Sequence, residues 1–172
     1  LQKHLQFTHN DLHIDNIMYQ KTDKTYLYYK FNNIYFKVPT FGYIFKIIDF
    51  GRAIFTFKDK LFFSDCFSNY GEADGQYKYP IDTFLYKKDN DEYDIKPNYN
   101  FDMCRLAITI LDELNYDKDI DYKEYQNIID YIYSLTLGKN NCELYYLEDN
   151  FDMYVSIAKH ANNCLPLDII QN

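Results

Sequence analysis

Residues 14–48 alternate apolar and polar positions in short runs, starting at Ile14 and returning over 26–30, 34–38 and 43–48, all rich in Tyr, Phe, Ile and Val. A period of two marks a strand with two unlike faces. Asn32-Asn33 separates two of the runs, and Asn accepts the left-handed backbone of a tight turn, so the stretch predicts β-hairpin structure. Ahead of it, Leu1 and Leu5 stand four apart and predict the tail of a helix over 1–7. From Gly51 to Asn100 no period is sustained, with Gly71, Gly75, Pro80 and Pro97 scattered among Asp, Asn and Ser. Aperiodic stretches of that length inside a domain usually carry function.

The period turns helical at Phe101. Asn100 is the expected cap of a helix whose apolar face carries Met103, Leu106, Ala107, Ile110, Leu111 and Leu114, a stripe strong enough for a central, buried element. A second helix is expected over 123–137, with Ile128, Ile129, Ile132 and Leu135 inward and Gly138 as its stop. A third fits 151–161, and the tail 165–170 reads as irregular chain. No internal repeat is visible.

Composition narrows the class. The 172 residues are one domain's worth of chain, and 47% hydrophobic content supports a real core, which excludes wholesale disorder. A net charge of −8 leaves no basic stripe for phosphate backbones, so no nucleic-acid partner is expected. Lys outnumbers Arg 16 to 2, and the Tyr, Asn, Ile and Phe excess has the same A/T-rich codon bias, so stacking readings of the tyrosines are discounted. Cys66, Cys104, Cys142 and Cys164 form no C-x-x-C pair, which favours a reduced compartment. No run approaches the 18 apolar residues of a membrane span, so the expected location is cytoplasmic. The opening Leu1-Gln2-Lys3-His4 has neither a starting Met nor a signal pattern, and a piece of a longer chain is expected.

The sharpest chemical signal is His9-Asn10-Asp11-Leu12-His13-Ile14-Asp15-Asn16, of the form H-x-D-x-x-x-x-N, followed after the hairpin by Asp49-Phe50-Gly51. On this composition the two motifs would occur in that order by chance roughly once in two thousand sequences. Asp102 opens the long apolar helix, where a carboxylate also suits the helix dipole. Together these motifs resemble the catalytic core of the protein kinase superfamily, and the A/T-biased composition and long hairpin are similar to serine/threonine kinases encoded by giant DNA viruses.

The resemblance implies an α+β, mainly α fold: a kinase-like large, C-terminal lobe with an extended hairpin between catalytic loop and Asp-Phe-Gly. It implies a catalytic-loop region over 1–20, the hairpin over 21–48, an activation segment over 49–100 and a helical subdomain over 101–172, with specific motifs only up to about residue 115. It implies ATP and Mg²⁺ as cofactors, and phosphoryl transfer to protein Ser/Thr hydroxyls. Asp11 would orient the acceptor hydroxyl, Asn16 and Asp49 would ligate Mg²⁺ and with it the nucleotide, and Gly51 would let the chain turn behind its metal ligand. His9 and Phe50 would buttress the loop, and Asp102 would bond its backbone. His13 stands where such kinases place a phosphate-contacting Lys, and could donate to phosphate when protonated.

Departures from the pattern carry information as well. Asn10 replaces the Arg that reads a phosphorylated activation loop, and Lys96-Pro97-Asn98-Tyr99 is the nearest surrogate for A-P-E. The family's glycine-rich loop, strand lysine and glutamate lie upstream of the catalytic loop, so the small lobe is expected to be missing. D-L-H-x-x-N is equally similar to small-molecule kinases of the aminoglycoside and choline type, which keeps a small hydroxyl substrate open. A non-catalytic, truncated binding module is the third reading. Arg52 and Arg105 are expected in ordinary ion pairs, His9 and His13 have no third ligand spaced for zinc, and the hairpin's Phe/Tyr stripe is expected to be packing.

Overall fold

The computed structural model describes residues 1–79, 95–116, 122–145 and 151–166. The tail 165–170 and the middle of the 49–100 segment fall largely outside those residues. The chain divides into two compact units, one formed by Leu1–Ile14 with Phe50–Asn172 and the other by Asp15–Asp49.

The smaller unit is an antiparallel ribbon. Strand β1 (Ile17–Lys21) pairs with β4 (Tyr43–Ile47), and β2 (Tyr26–Phe31) pairs with β3 (Ile34–Pro39). Asn32 turns β2 into β3 with φ 53°, as the Asn-Asn pair predicts. Buried Thr40 stitches the junction between the two ladders: its hydroxyl donates to the Lys24 carbonyl and its N–H to the Thr25 carbonyl, 3.1 Å away. The register puts Tyr26, Tyr28, Lys30, Tyr35 and Lys37 on one face of β2–β3 and Leu27, Tyr29, Phe31, Ile34, Phe36 and Val38 on the other. Tyr28 and Tyr35 are each 74% exposed, and Tyr29, Ile34 and Val38 on the opposite face are exposed too, so the expectation that this stripe is packing is met on neither face.

The larger unit holds helices α1 (Gln2–Leu5), α2 (Phe101–Tyr116), α3 (Tyr122–Ser134) and α4 (Phe151–His160), with a short hairpin of β5 (Phe55–Phe57) and β6 (Lys60–Phe62). That hairpin falls in the stretch read as aperiodic. Its three-residue strands are too short to display a period, and its turn uses left-handed Lys58 and Asp59 (φ 49° and 60°) in place of Gly.

The core of this unit forms where α2 meets α4. Phe101, Cys104, Ala107 and Ile108 pack with Leu135, Leu144, Met153 and Ile157. The buried face of α2 is therefore centred on 101, 104 and 108, and Met103, Leu106 and Ile110 are only half-buried. A second cluster gathers Ile54, Phe67, Ala73, Tyr77 and Ile95.

Several details of the helices differ from expectation. Asn100 takes the expected cap position of α2, its carbonyl accepting the Cys104 N–H at 3.2 Å, while its side-chain Oδ1 accepts the Cys164 N–H at 3.0 Å. Asn98 organises that end, its carbonyl accepting the Phe101 N–H at 2.9 Å while its amide donates to the Ala161 and Ala158 carbonyls at 2.9 and 3.2 Å, tying the start of α2 to the end of α4. On α3, Ile128 is 58% exposed rather than inward, and the helix ends at Ser134 ahead of Gly138. Gly138 serves close approach instead, because a Cβ there would meet Cys142 Sγ and the His160 carbonyl oxygen at 2.7 Å each. No helix among the described residues is long and apolar enough to cross a membrane.

Candidate active site

The loop carrying Asp11 is held from three directions within the larger unit. Thr8 and Ile54 exchange backbone hydrogen bonds at 2.9 Å each way, fastening the loop's start to the segment after Gly51. The Asp102 carboxylate accepts the N–H of His9 at 2.8 Å and of Asn10 at 2.9 Å, one on each oxygen. Burial pushes the Asp102 carboxyl above its usual range, and these two N–H donors pull against that shift. His9 is 1% exposed with its ring centroid 5.4 Å from that of Phe50, and the Phe7 ring meets Phe50 edge-on at 6.0 Å.

Asn10 is the third tether. It is fully buried with φ 63°, a left-handed conformation that Asn tolerates better than most residues. Its Oδ1 accepts from the Tyr77 hydroxyl at 2.8 Å, its amide donates to the Arg52 carbonyl at 3.0 Å, and its carbonyl accepts from Gln76 Nε2 at 3.1 Å. Asn10 thus joins the loop to residues 52, 76 and 77 by neutral hydrogen bonds. Burial keeps the Tyr77 phenol protonated and therefore a donor.

With its backbone fixed, the loop presents Asp11 to a cluster of donors. The Tyr154 hydroxyl donates to Asp11 Oδ1 at 2.7 Å, and His13 Nε2 and Arg52 Nη1 each stand 3.8 Å from that oxygen. Arg52 also meets Glu72 at 3.3 Å. Its guanidinium lies 5.4 Å from the Tyr154 ring centre, and that of buried Arg105 lies 4.9 Å from it. The ion-pair expectation is met for Arg52, which pairs with Asp11 and Glu72, and Arg105 lies over the face of the Tyr154 ring. Tyr154 was not among the candidates, because nothing local in sequence links a tyrosine on α4 to a loop 143 positions away.

Asn16 and Asp49 belong to the ribbon unit. The β1–β4 ladder pairs Ile17 with Ile47 and closes with the Ile48 N–H donating to the Asn16 carbonyl at 3.0 Å, which brings Asn16 and Asp49 to the same end of the ribbon. Gly51 lies in a turn, as expected: the Ala53 N–H donates to the Phe50 carbonyl at 3.0 Å with Gly51 and Arg52 between them, while the left-handed backbone falls on Asp49, a non-Gly residue at φ 59°. Such a backbone costs of order 1 kcal/mol and collects at functional positions. Gly51 also offers its carbonyl to the Ser64 hydroxyl at 2.9 Å. Among the described residues no group of three or more His, Cys, Asp or Glu is arranged to hold a metal ion. Two hard oxygen donors at one ribbon end do suit Mg²⁺, which keeps several water or phosphate ligands and needs only one or two from protein.

No protein-family model matches the chain. A stretch of 64 residues, 35% of the chain, is 45% identical to an uncharacterised protein, 098R, of Invertebrate iridescent virus 6. The match spans 10% of that viral protein's length. Part of this sequence is therefore similar to an iridescent virus protein.

Proposed function

We propose that this chain is a kinase-like large lobe that, acting with a small lobe, transfers a phosphoryl group from ATP to protein Ser/Thr hydroxyls. The observation that carries the reading is the grip of Asp102 on the backbone of His9 and Asn10, which fixes the residue next in line, Asp11, as an oriented carboxylate. A fixed carboxylate that accepts and orients an acceptor hydroxyl contributes about 10²–10⁴-fold to such a reaction. Asn16 and Asp49, at the same end of the β1–β4 ladder, are assigned as the Mg²⁺ ligands. Mg²⁺, when bound there, supplies charge neutralisation on the phosphate oxygens. His13 and Arg52 face Asp11 from the donor side and are assigned to hold negative charge near it.

A second reading, a kinase for small hydroxyl compounds of the aminoglycoside or choline type, is favoured by His13 standing beside Asp11 in place of the phosphate-contacting lysine. Labelled phosphate from ATP, offered to a protein panel and to aminoglycosides and choline, separates the two. Transfer to proteins, abolished by Asp11→Asn and by Asp49→Ala, is expected. Transfer to small molecules alone would move the assignment to the second reading, and nucleotide binding without any transfer would leave a non-catalytic binding module.

A further inference from the structure

The chain contains two arginines, and both lie against one side chain, that of Tyr154. The same residue's hydroxyl donates to Asp11 Oδ1 at 2.7 Å, in the place an acceptor hydroxyl must take to be oriented by that carboxylate. Two features make this a built position and not a surface rotamer. Tyr154 sits on α4 between Met153 and Ile157, which are 1% and 0% exposed. Its ring also stacks on that of Phe151 and meets that of Phe101, with centroids 5.8 and 5.9 Å away. We propose that Tyr154 is an internal acceptor: it caps Asp11 as a hydroxyl occupant, is phosphorylated within its own chain, and thereby uncaps the site. The inference rests on the phosphotransferase reading and gives that site a first substrate and a regulation.

The chemistry balances with a nucleoside triphosphate as co-reactant. Tyr154 Oη forms a bond to the terminal phosphorus, the bond from that phosphorus to the bridging oxygen breaks, and the nucleoside diphosphate leaves. The phenol's proton passes to Asp11 and on to solvent. Burial keeps the Tyr154 phenol protonated before reaction, so it arrives as a donor. The product carries a charge of about −1.5 to −2 and strong acceptor oxygens. Arg52 and Arg105 are already against the ring to receive them. Asp11 repels the new phosphate, so its bond to Tyr154 is lost and the carboxylate is open to an external hydroxyl.

The test incubates the longer protein, large lobe together with its small lobe, with Mg²⁺-ATP across a dilution series and maps phosphosites by mass spectrometry. Phosphotyrosine at 154 is expected, at a rate per molecule that does not change with protein concentration, and absent in Asp11→Asn. A Tyr154→Phe variant is expected to pass phosphate to an external protein without the lag that the parent shows. A second readout uses no nucleotide: phosphotyrosine is installed at 154 during translation and melting is followed with and without Arg105→Gln. The substitution is expected to lower Tm more in the phosphorylated protein, and an equal drop overturns the arginine assignment. Transfer to external acceptors with no phosphate on Tyr154 overturns the inference while leaving the phosphotransferase reading intact. Transfer to no acceptor at all overturns both.

Discussion

Asp102, on the first turn of α2, accepts the backbone N–H of Asn10 at 2.9 Å while its other oxygen accepts that of His9 at 2.8 Å. One buried carboxylate therefore sets the backbone on which Asp11 stands. Asp102→Ala leaves two N–H groups without an acceptor, at a cost of about 1–3 kcal/mol each. Urea unfolding at neutral pH is expected to show a loss of about 3 kcal/mol on that basis.

The same carboxyl gives stability a pH dependence. Its folded pKa is raised, first by burial, so between the ordinary carboxylate value of about 4 and the folded value the native state binds more protons than the unfolded chain. The proton-linked part of Asp102's contribution is thus fully present at low pH and is lost as pH rises through the folded pKa, and what remains at neutral pH is the part carried by its two N–H hydrogen bonds. The stability difference between the parent and Asp102→Ala is expected to narrow as pH rises from about 4. A difference that widens would contradict this assignment.

Asn10 combines a left-handed backbone with hydrogen bonds to Tyr77 and Arg52, and two substitutions separate these roles. Asn10→Gly keeps the backbone but strands the buried partners, for a loss of about 1–3 kcal/mol. Asn10→Ala adds the left-handed penalty of roughly 1 kcal/mol. Chemical denaturation of both variants is expected to rank alanine below glycine, and the reverse order would contradict the geometry.

Legibility in the sequence followed the range of the interactions. The ribbon was readable because its period of two and Asn32-Asn33 are local signals, and α2 and α4 because their apolar spacing is. Contacts such as Asp11 with Tyr154 or Asn98 with Ala161 join residues far apart, and no local pattern encodes them. Asp102 and Asn10 show the intermediate case: the motif located both, while Asn10's bonds to Tyr77 and Gln76 emerged only from the folded loop. Ile128 shows why periodicity misleads, since its spacing suits an inward face yet α3 leaves it exposed.

That exposure separates two isoleucines that a periodic pattern treats alike. Ile157, fully buried between α2 and α4, is expected to lose about 2–5 kcal/mol on Ile157→Ala through the cavity left behind. Ile128→Ser on α3 is expected to change stability by less than about 0.5 kcal/mol, as surface substitutions do. Urea midpoints of the pair test the assigned face of α3.

Gly71 sits where the chain after Phe67 folds back on itself. A Cβ at that position would lie 2.1 Å from the Cys66 carbonyl oxygen, and backbone cannot yield as a flexible side chain does. Gly71→Ala is expected to lower Tm, whereas Gly42→Ala, with open space but φ +83°, pays only backbone strain of about 1 kcal/mol. Thermal melting should therefore place Gly71→Ala lower.

The assignment of Asn16 and Asp49 as metal ligands is tested most directly by titrating Mn²⁺-ATP into isotope-labelled protein and following paramagnetic broadening by NMR. Saturable broadening centred on the Asn16 side-chain amide and the Asp49 backbone, and lost in Asp49→Ala, is the expected result. Broadening that is absent, centred elsewhere, or unchanged in Asp49→Ala would contradict a metal-nucleotide site at this end of the ribbon, and with it the phosphotransferase assignment.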